Sequence, residues 1–412
     1  MSAISALSKR GNPADLYSRF SAFTMARDLM AADRYPFFLP LEGKEGPAVR
    51  RGDRTLIMCG SNNYLGLTGH PEVLAAARLA LEKYGTSRTG SRFLNGNTEL
   101  HEELEAELAD YLDKPAALVM STGYQTNLGV LGSVLTPRDH VFLDRSAHAS
   151  LLDGARLSGA KIRWFPHNDA DALGRALERV PDDAGRLVVV DGVYSMEGDV
   201  CDLPALVKTC SAYGARLLLD DAHGLGVLAE GRGTAAHFGL TDEVDLITVT
   251  FSKSLASLGG AVAGSEEAIH YLRHHARSLM FSASTTPPNT AAALAALRIL
   301  RAQPHLATTV QSNAAHVRRG LAEAGVRTVP SSTPIVALPA PGTPQTLTAW
   351  QRMYDDGVYV NPVLPPAAEP RLRTSYMASH TLDQLDRVVE VCAAQKPLLT
   401  SAEQHGRGPD VA

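Results

Sequence analysis

The sequence predicts an α/β protein with a large, mainly parallel sheet and a second, smaller domain toward the C-terminus. Six apolar runs of strand length recur between residues 116 and 249, and the segments between them carry helical spacing. The chain has 412 residues, of which 45% are hydrophobic and 20% are charged. This length and composition are typical of a soluble globular protein with two domains of unequal size.

The predicted strands are apolar at consecutive positions, as strands buried on both faces must be. They cover residues 116–120, 141–143, 162–165, 187–190, 217–219 and 246–249. The clearest helix precedes the first strand, where Leu100, Leu104, Leu108 and Leu112 recur every four residues. We therefore predict an N-terminal arm at 1–55, a large domain at 56–294, a smaller α+β domain at 295–399 and a frayed tail at 400–412.

Composition and charge argue against several classes of protein. The net charge of −5 gives no support to nucleic-acid or membrane-surface partners. The uncharged stretches 115–137 and 278–297 contain polar residues in their middles, so neither reads as a membrane span. No secretory signal is recognisable, and four scattered cysteines do not form a disulfide framework. These features favour a cytoplasmic protein with reduced thiols.

Polar side chains follow five of the predicted strands at the point where each strand ends. Parallel strands deliver such residues to the same edge of a sheet, where ligands bind. The segments together supply an anion cradle, two histidines, a serine, an acid and a lysine. They are Ser121 to Tyr124, Asp144 to His148, Asp191 to Asp199, Asp220 to His223, and Thr250 to Lys253.

This combination matches the needs of pyridoxal 5'-phosphate. Its aldehyde needs a lysine for a Schiff base, and its ring nitrogen stays protonated only beside a carboxylate. Its phosphate needs backbone N–H groups at a helix N-terminus, which Thr122, Gly123 and Tyr124 could supply. A flat group must lie on the ring face, and His148 is suited to that position.

At least six motifs, in order from SNNYLG at Ser61 to RLRTSYMASH ending at His380, resemble those of the α-oxoamine synthases. This family of pyridoxal phosphate-dependent fold-type I enzymes includes 8-amino-7-oxononanoate synthase, 5-aminolevulinate synthase, 2-amino-3-ketobutyrate ligase and serine palmitoyltransferase. The resemblance implies an acyltransferase, active as a homodimer with shared active sites. The implied reaction is the decarboxylative Claisen condensation of serine, alanine or glycine with an acyl thioester to an α-amino ketone.

The resemblance also implies roles for residues of the cofactor site. In TFSKSLASLGG, Lys253 would form the Schiff base and later shuttle the α-proton, and Thr250 would contact the phosphate. In DDAHGLG, Asp220 would pair with the pyridinium nitrogen and His223 would hydrogen-bond the phenolic oxygen. Ser195 of VYSMEGD would lie beside the same oxygen.

Further motifs would shape the rest of the site. His148 in RSAHASLLDG would stack on the ring. Asn62 would contact the substrate, and Arg373 would bind its carboxylate as a bidentate donor. The partner subunit would lend the loop FSASTTPP to the phosphate, through either Ser284 or Thr285.

Two features stand apart from these roles. Many relatives carry aspartate where this chain has Asn63. The glycine-rich segment 85–96 does not form GxGxxG, and the family resemblance places it near the dimer interface and the substrate entrance, although a plain connection is the alternative.

Several alternatives stay open at this level. Another fold-type I reaction, such as transamination, is one, and a catalytically silent partner subunit of a heteromeric synthase is another. The sequence does not identify the amino acid, the acyl chain, or whether coenzyme A or an acyl carrier protein carries it. We predict no metal site, because the adjacent His274 and His275 point away from each other on a helix.

Overall fold

The computed structural model describes residues 16–399. The predicted tail at 400–412 and the first fifteen residues of the predicted arm lie outside this range. The strands are β1 (Ala48–Arg51), β2 (Arg54–Met58), β3 (Ala116–Met120), β4 (His140–Asp144), β5 (Lys161–Phe165), β6 (Arg186–Asp191), β7 (Arg216–Asp220), β8 (Leu246–Thr250), β9 (Gly260–Gly264), β10 (Ile335–Pro339), β11 (Val358–Tyr359), β12 (Asn361–Val363) and β13 (Arg371–Ser375).

Helices connect these strands and cover the sheets. They are α1 (Ser18–Ala22), α2 (Met25–Ala31), α3 (Pro71–Tyr84), α4 (Glu99–Tyr111), α5 (Gly123–Val134), α6 (Ala149–Ser158), α7 (Ala170–Leu177), α8 (Leu203–Ala212), α9 (Thr234–Phe238), α10 (Glu266–His275), α11 (Arg277–Met280), α12 (Pro287–Ala302), α13 (His305–Glu323), α14 (Thr343–Asp355), α15 (Leu382–Ala394) and α16 (Lys396–Leu399).

The large sheet has seven strands in the order β3-β9-β8-β7-β6-β4-β5. All neighbours pair in parallel except β9, which is antiparallel to both β3 and β8. Alternate residues of most strands pack into two different cores; Leu118 belongs to one and Val119 to the other. The edge strand β5 departs from the prediction, because Arg163 and Trp164 are exposed. The consecutive apolar positions in the sequence therefore reflect burial on both faces, and the predicted α/β fold with a mainly parallel sheet is confirmed.

Strand β9 was not predicted, because its sequence, Gly-Ala-Val-Ala-Gly, lacks the large apolar side chains that identify the other strands. Close packing explains this composition. A Cβ atom on Gly260 would lie 2.7 Å from Cα of Gly123, at the start of α5. The small residue thus lets the helix N-terminus approach the sheet, which matters for the site below.

The smaller domain contains the sheets β1-β2-β11 and β10-β13-β12. Its core joins Leu56 of β2 to Trp350, Leu372 and Val388. Strands from residues 48–58 therefore pack with the C-terminal part of the chain, although we predicted an arm up to residue 55. The predicted boundary between 294 and 295 lies inside α12, because the apolar side chains of this helix pack into the core of the large domain.

Within residues 16–399, no helix is both long enough and apolar enough to cross a bilayer.

Candidate active site

Lys253 lies three residues beyond the end of β8 and is partly buried. Burial lowers the pKa of its amine to about 8; the carboxylates of Asp220 and Asp191 oppose the shift, and the guanidinium of Arg373 reinforces it. An amine with this pKa is partly neutral near pH 7. It can therefore act as a nucleophile or as a base, which an ordinary surface lysine cannot do to the same extent.

Asp220 ends β7 beside this lysine and is 5% exposed. One of its carboxylate oxygens accepts a hydrogen bond from Asn127 Nδ2 at 2.6 Å, and the other accepts one from the N–H of Ala222 at 3.0 Å. Both bonds hold the carboxylate in one orientation at the strand end. The sequence analysis did not predict a role for Asn127. Its position as a polar residue one turn into α5 was the available signal.

His148 caps the N-terminus of α6, and electrostatic interactions connect its ring to Asp220 and Lys253. Its Nδ1 lies 2.7 Å from Ser150 Oγ, which also accepts a hydrogen bond from Asn127 at 2.8 Å. Its backbone N–H donates to the buried carboxyl of Asp191 at 2.9 Å. Burial and the charge of Asp220 raise the pKa of Asp191 well above its ordinary value.

Burial also lowers the pKa of His148, although the ring keeps an exposed face. The ring is therefore neutral at pH 7, and the residue stays exposed. These properties fit the predicted position on the face of a cofactor ring. The hydrogen bonds through Ser150 and Asn127 connect it to Asp220.

The predicted anion cradle lies at the N-terminus of α5. Thr122 caps this helix, and its Oγ1 accepts a hydrogen bond from the N–H of Gln125 at 3.0 Å. A Cβ atom on Gly123 would lie 2.7 Å from Cβ of Thr250, so only glycine fits there. The Thr250 hydroxyl lies 2.9 Å from that of Ser252. Backbone donors and hydroxyl groups thus meet at one point, which fits a phosphate group.

Tyr124, the next residue of the cradle segment, is 43% exposed. Its hydroxyl donates to Asp153, and its ring meets the edge of the His148 ring at a centroid distance of 6.4 Å. Its backbone belongs to the first turn of α5, while its side chain lies toward His148 rather than toward Thr250.

The loop with Ser284 and Thr285 packs against this cradle within the same chain. Ser121 Oγ donates to the carbonyl of Ala283 at 2.6 Å, and Thr285 Oγ1 donates to the carbonyl of Met120 at 3.3 Å. Ser284 Oγ is buried and has no hydrogen-bond partner among residues 16–399. Of the two candidate hydroxyl groups, that of Ser284 is the one available to a further ligand.

The glycine-rich segment 85–96 is anchored to the same part of the sheet. The buried side chain of Arg92 pairs with Glu105 and donates to the carbonyl of Val119 in β3 at 3.0 Å. The carbonyl of Gly90 accepts a hydrogen bond from the N–H of Ser284 at 3.1 Å. The segment therefore holds the loop that carries Ser284.

Arg373 lies in the middle of β13 and is 4% exposed. Its Nε donates to the carbonyl of Ser195 at 2.6 Å, and its Nη2 donates to Asn62 Oδ1 at 3.0 Å. The structure thus brings together three residues that the sequence placed in one site. Ser195 contacts Arg373 through its backbone, which leaves its hydroxyl free for the predicted role.

Tyr64 connects this group to His223. The phenolic oxygen of the fully buried Tyr64 lies 2.7 Å from His223 Nδ1 and 3.5 Å from Arg373 Nη2. Burial lowers the pKa of His223 well below its ordinary value, and the positive charges of Lys253 and Arg373 add to this effect. Sequence reasoning missed Tyr64, although it belongs to the SNNYLG motif.

Asn63, where many relatives carry aspartate, does not face these groups. Its Nδ2 donates to Thr68 Oγ1 at 2.8 Å, and its Oδ1 accepts from the N–H of Leu67 at 3.0 Å. The side chain therefore stabilises the turn that follows Asn62.

The turn that contains Ser195 is held by His167. The two ring nitrogens of His167 lie 3.0 Å from Asp144 and 2.8 Å from Asp199. Burial disfavours the charged ring, but hydrogen bonds and charges of both carboxylates prevail and raise the pKa of His167 to about 10. The imidazolium therefore joins the end of β4 to the turn.

We expect this ion pair to make stability depend on pH. Because the pKa of His167 is raised from 6.5 to about 10, the stabilisation is complete below pH 6.5 and is lost as the pH rises toward 10. His167→Gln should lower the free energy of unfolding by about 2–4 kcal/mol at pH 6.5 and by less at pH 10. Chemical denaturation across this range measures the difference.

His316→Gln is the matched control, because His316 pairs with the exposed Asp386 at the surface. Its effect should stay below about 1 kcal/mol. Equal effects of the two substitutions at every pH would contradict the assignment.

Two cavities differ in their relation to these residues. One, of about 370 Å³, is lined by Asn62, Ser252 and Asn289 and provides space beside the lysine loop. A larger one, of about 600 Å³, lies at the opposite edge of the sheet beside Lys114 and Arg186. The larger cavity contains none of the predicted site residues, so we assign the chemistry to the strand ends where Lys253 lies.

Within residues 16–399, no three His, Cys, Asp or Glu side chains are arranged to bind a metal ion. His274 and His275 each bond through Nδ1 to a helix carbonyl, of His270 at 2.8 Å and of Tyr271 at 2.9 Å.

Known proteins resemble this chain over most of its length. Residues 54–391 match the family model of class I and II aminotransferases. A serine palmitoyltransferase of Sphingobacterium spiritivorum is 45% identical over 379 residues, which are 91% of this chain and 95% of that protein. The 8-amino-7-oxononanoate synthase 1 of Bacillus velezensis is 39% identical and covers 85% of this chain and 91% of its own length.

Solved structures show the same architecture. A serine palmitoyltransferase of S. paucimobilis, with a pyridoxal phosphate–myriocin aldimine bound, superposes with a TM-score of 0.90. It is 34% identical, and the match covers 92% of this chain and 98% of that one.

Proposed function

Because this chain belongs to the class I and II aminotransferase family and, within it, to the α-oxoamine synthases, we propose that it condenses L-serine with a long-chain acyl thioester. The observation that carries the proposal is the joint placement of Lys253, Asp220 and Arg373. Lys253 and Asp220 follow strands of the large sheet, Arg373 lies in β13 of the smaller domain, and the charges of Asp220 and Arg373 both act on the amine of Lys253. The choice of serine is supported by the 45% identity to a serine palmitoyltransferase.

The chain is a pyridoxal phosphate-dependent acyltransferase that condenses an amino acid with an acyl thioester and releases carbon dioxide. When bound, the cofactor supplies a protonated ring that stabilises negative charge at the α-carbon of the amino acid. The residues at the strand ends fit this group. They supply a carboxylate held by Asn127, a partly neutral amine, a histidine and a capped helix N-terminus.

We assign the following roles to the residues of this chain. Lys253 Nζ would hold the cofactor and, once released from it, would take the α-proton, which its lowered pKa permits. Asp220 keeps the ring nitrogen protonated, and Arg373 binds the carboxylate of the amino acid with Asn62 beside it. The groups assigned to the rest of the cofactor are Thr122, Gly123, Tyr124, His148, Ser195, His223, Thr250, Ser284 and Thr285.

The decisive experiment is an absorbance titration of the purified protein with serine, alanine and glycine, each with and without palmitoyl-coenzyme A. We expect a yellow protein whose spectrum serine changes, and release of carbon dioxide after thioester is added. If only alanine or only glycine changes the spectrum, that amino acid is the substrate and the assignment of serine is wrong. The same assay with an acyl carrier protein in place of coenzyme A identifies the carrier.

Other outcomes would favour the alternatives. A yellow protein that does not react with thioesters would support transamination. A colourless protein that binds no cofactor would support a silent partner subunit. A cytoplasmic location stays our prediction; fractionation of cells tests it.

We also propose that two copies form a homodimer with shared active sites. The support is the resemblance of FSASTTPP to the loop that a partner subunit lends in this family. The buried hydroxyl of Ser284, which has no hydrogen-bond partner within residues 16–399, would bind a phosphate that the partner holds.

Mixed subunits test this arrangement. Lys253→Ala and the double variant Ser284→Ala/Thr285→Ala should each be impaired, while a co-expressed mixture should regain up to about a quarter of wild-type activity, because one site in each mixed dimer is intact. A monomer by light scattering, or no gain over the separate variants, would show that the loop serves its own chain.

A further inference from the structure

The phenol of Tyr64 has three polar neighbours and a single proton to donate. His223 Nδ1 lies at 2.7 Å, while Arg373 Nη2 and Asn62 Oδ1 both lie at 3.5 Å. The side chain is 0% exposed, so no bulk water replaces these contacts. The question is therefore which neighbour receives the phenolic proton.

The hydrogen-bonding capacity of each neighbour identifies His223 as the acceptor of this proton. Arginine can only donate, so Arg373 must approach a lone pair of the phenolic oxygen. Asn62 Oδ1 is remote at 3.5 Å and already accepts from Arg373 Nη2 at 3.0 Å. His223 Nδ1 is at ideal distance, and donation to it leaves the phenolic oxygen free to accept from arginine.

The opposite arrangement satisfies fewer groups. If His223 donated from Nδ1, the phenolic oxygen would receive two donors, and its own proton would have only the contact of 3.5 Å to Asn62. A poorly paired hydroxyl in a buried site costs stability. The burial that lowers the pKa of His223 keeps its ring neutral, so Nδ1 can serve as an acceptor.

We propose that Tyr64 is a positioning residue that fixes His223 in the tautomer protonated at Nε2 and links this histidine to Arg373. With Nδ1 occupied by the phenol, Nε2–H is the only donor that the His223 ring can offer to a cofactor. The tautomer follows from the contacts of this chain alone.

The link to Arg373 deepens the proposed function and rests on it. Arg373 Nε is engaged by the carbonyl of Ser195, and Nη2 is shared between Asn62 and Tyr64. Among residues 16–399, the two donors of Nη1 are left for a substrate carboxylate, and the contacts of Nε and Nη2, including the one with Tyr64, hold the guanidinium that would receive it. Binding of the amino acid and the hydrogen bond of His223 are coupled through one phenol.

The tautomer is tested by nitrogen NMR of protein labelled with ¹⁵N-histidine, with and without pyridoxal 5'-phosphate. His223→Gln identifies the signals of His223. In the wild type we expect the proton on Nε2, and in Tyr64→Phe a mixture of both tautomers. A wild-type proton on Nδ1, or an unchanged tautomer in Tyr64→Phe, overturns the proposal.

Tyr376→Phe is the matched control, because this phenol is also 0% exposed and bonds to Thr374 Oγ1 at 2.9 Å. It should leave the His223 signals unchanged. The same change in both variants would indicate a general loss of packing and would overturn the specific role of Tyr64.

The coupling has its own measurement. Tyr64→Phe should change the dissociation constant of serine by about 5–20-fold, whereas Tyr376→Phe should not. An unchanged constant overturns the link to Arg373. If the wild type binds no amino acid at all, the proposed function fails, while the tautomer result is unaffected.

Discussion

Lys253→Ala should lower the rate of product formation by at least about 1000-fold, because it removes both the attachment point of the cofactor and the base. The amine is placed by the turn after β8, and burial lowers its pKa to about 8. Assays of carbon dioxide release from serine and palmitoyl-coenzyme A measure the loss. Reduction with borohydride followed by peptide mass spectrometry should find the cofactor on Lys253 in the wild type only.

Lys114 offers a matched control at the other edge of the sheet. Burial also lowers the pKa of this lysine, and its amine donates to the carbonyl of Val244 at 2.6 Å. Lys114→Met should retain most of the activity and all of the cofactor attachment. Equal losses in the two variants, or a reduced adduct in Lys253→Ala, would refute the assignment.

Asp220→Asn is expected to reduce the rate by about 100–10,000-fold, because a neutral amide cannot keep the ring nitrogen protonated. The hydrogen bond from Asn127 to Asp220 at 2.6 Å also shows that the site favours an acceptor there. The measurement is the turnover rate together with the pH dependence of the visible spectrum of the bound cofactor. The pH dependence of that spectrum should shift only if Asp220 controls the protonation of the ring nitrogen.

The neighbouring Asp221 provides a control for Asp220, because its substitution should affect stability more than turnover. It is fully enclosed, and its carboxylate binds the N–H and hydroxyl of Thr234 at 2.8 and 2.5 Å. Asp221→Asn should lower the melting temperature by several degrees, with a smaller loss of turnover than Asp220→Asn. A larger loss of turnover in Asp221→Asn than in Asp220→Asn would show that Asp221, and not Asp220, acts on the cofactor.

Much of the large domain was predictable because its signals are local. All six strands predicted from consecutive apolar positions are present, each within two residues of its expected bounds. The polar residues that follow them meet at one edge, as parallel strands require. Residues such as Lys253 and Asp220 were therefore found without knowledge of any contact.

Other features depend on contacts between distant segments. Strand β9 is built of small residues because α5 packs on it, and residues 48–58 join a core made mostly after residue 314. Asn127 and Tyr64 look like ordinary helix and loop residues in the sequence. Their importance arises from partners 93 and 159 positions away.

The sequence by itself determined the fold class, the order of the motifs and the chemical groups available. It could do so because burial on two faces and the polar residues at strand ends are both visible in short stretches of sequence. Only the tertiary structure decided which hydrogen bonds orient those groups. Differences of a few tenths of an ångström in the distances between separate segments decide the proton on Tyr64, the two donors to Asp220 and, within residues 16–399, the unpaired hydroxyl of Ser284. Local patterns carry no information on such distances, since hydrogen bonding depends on atomic positions rather than on residue order.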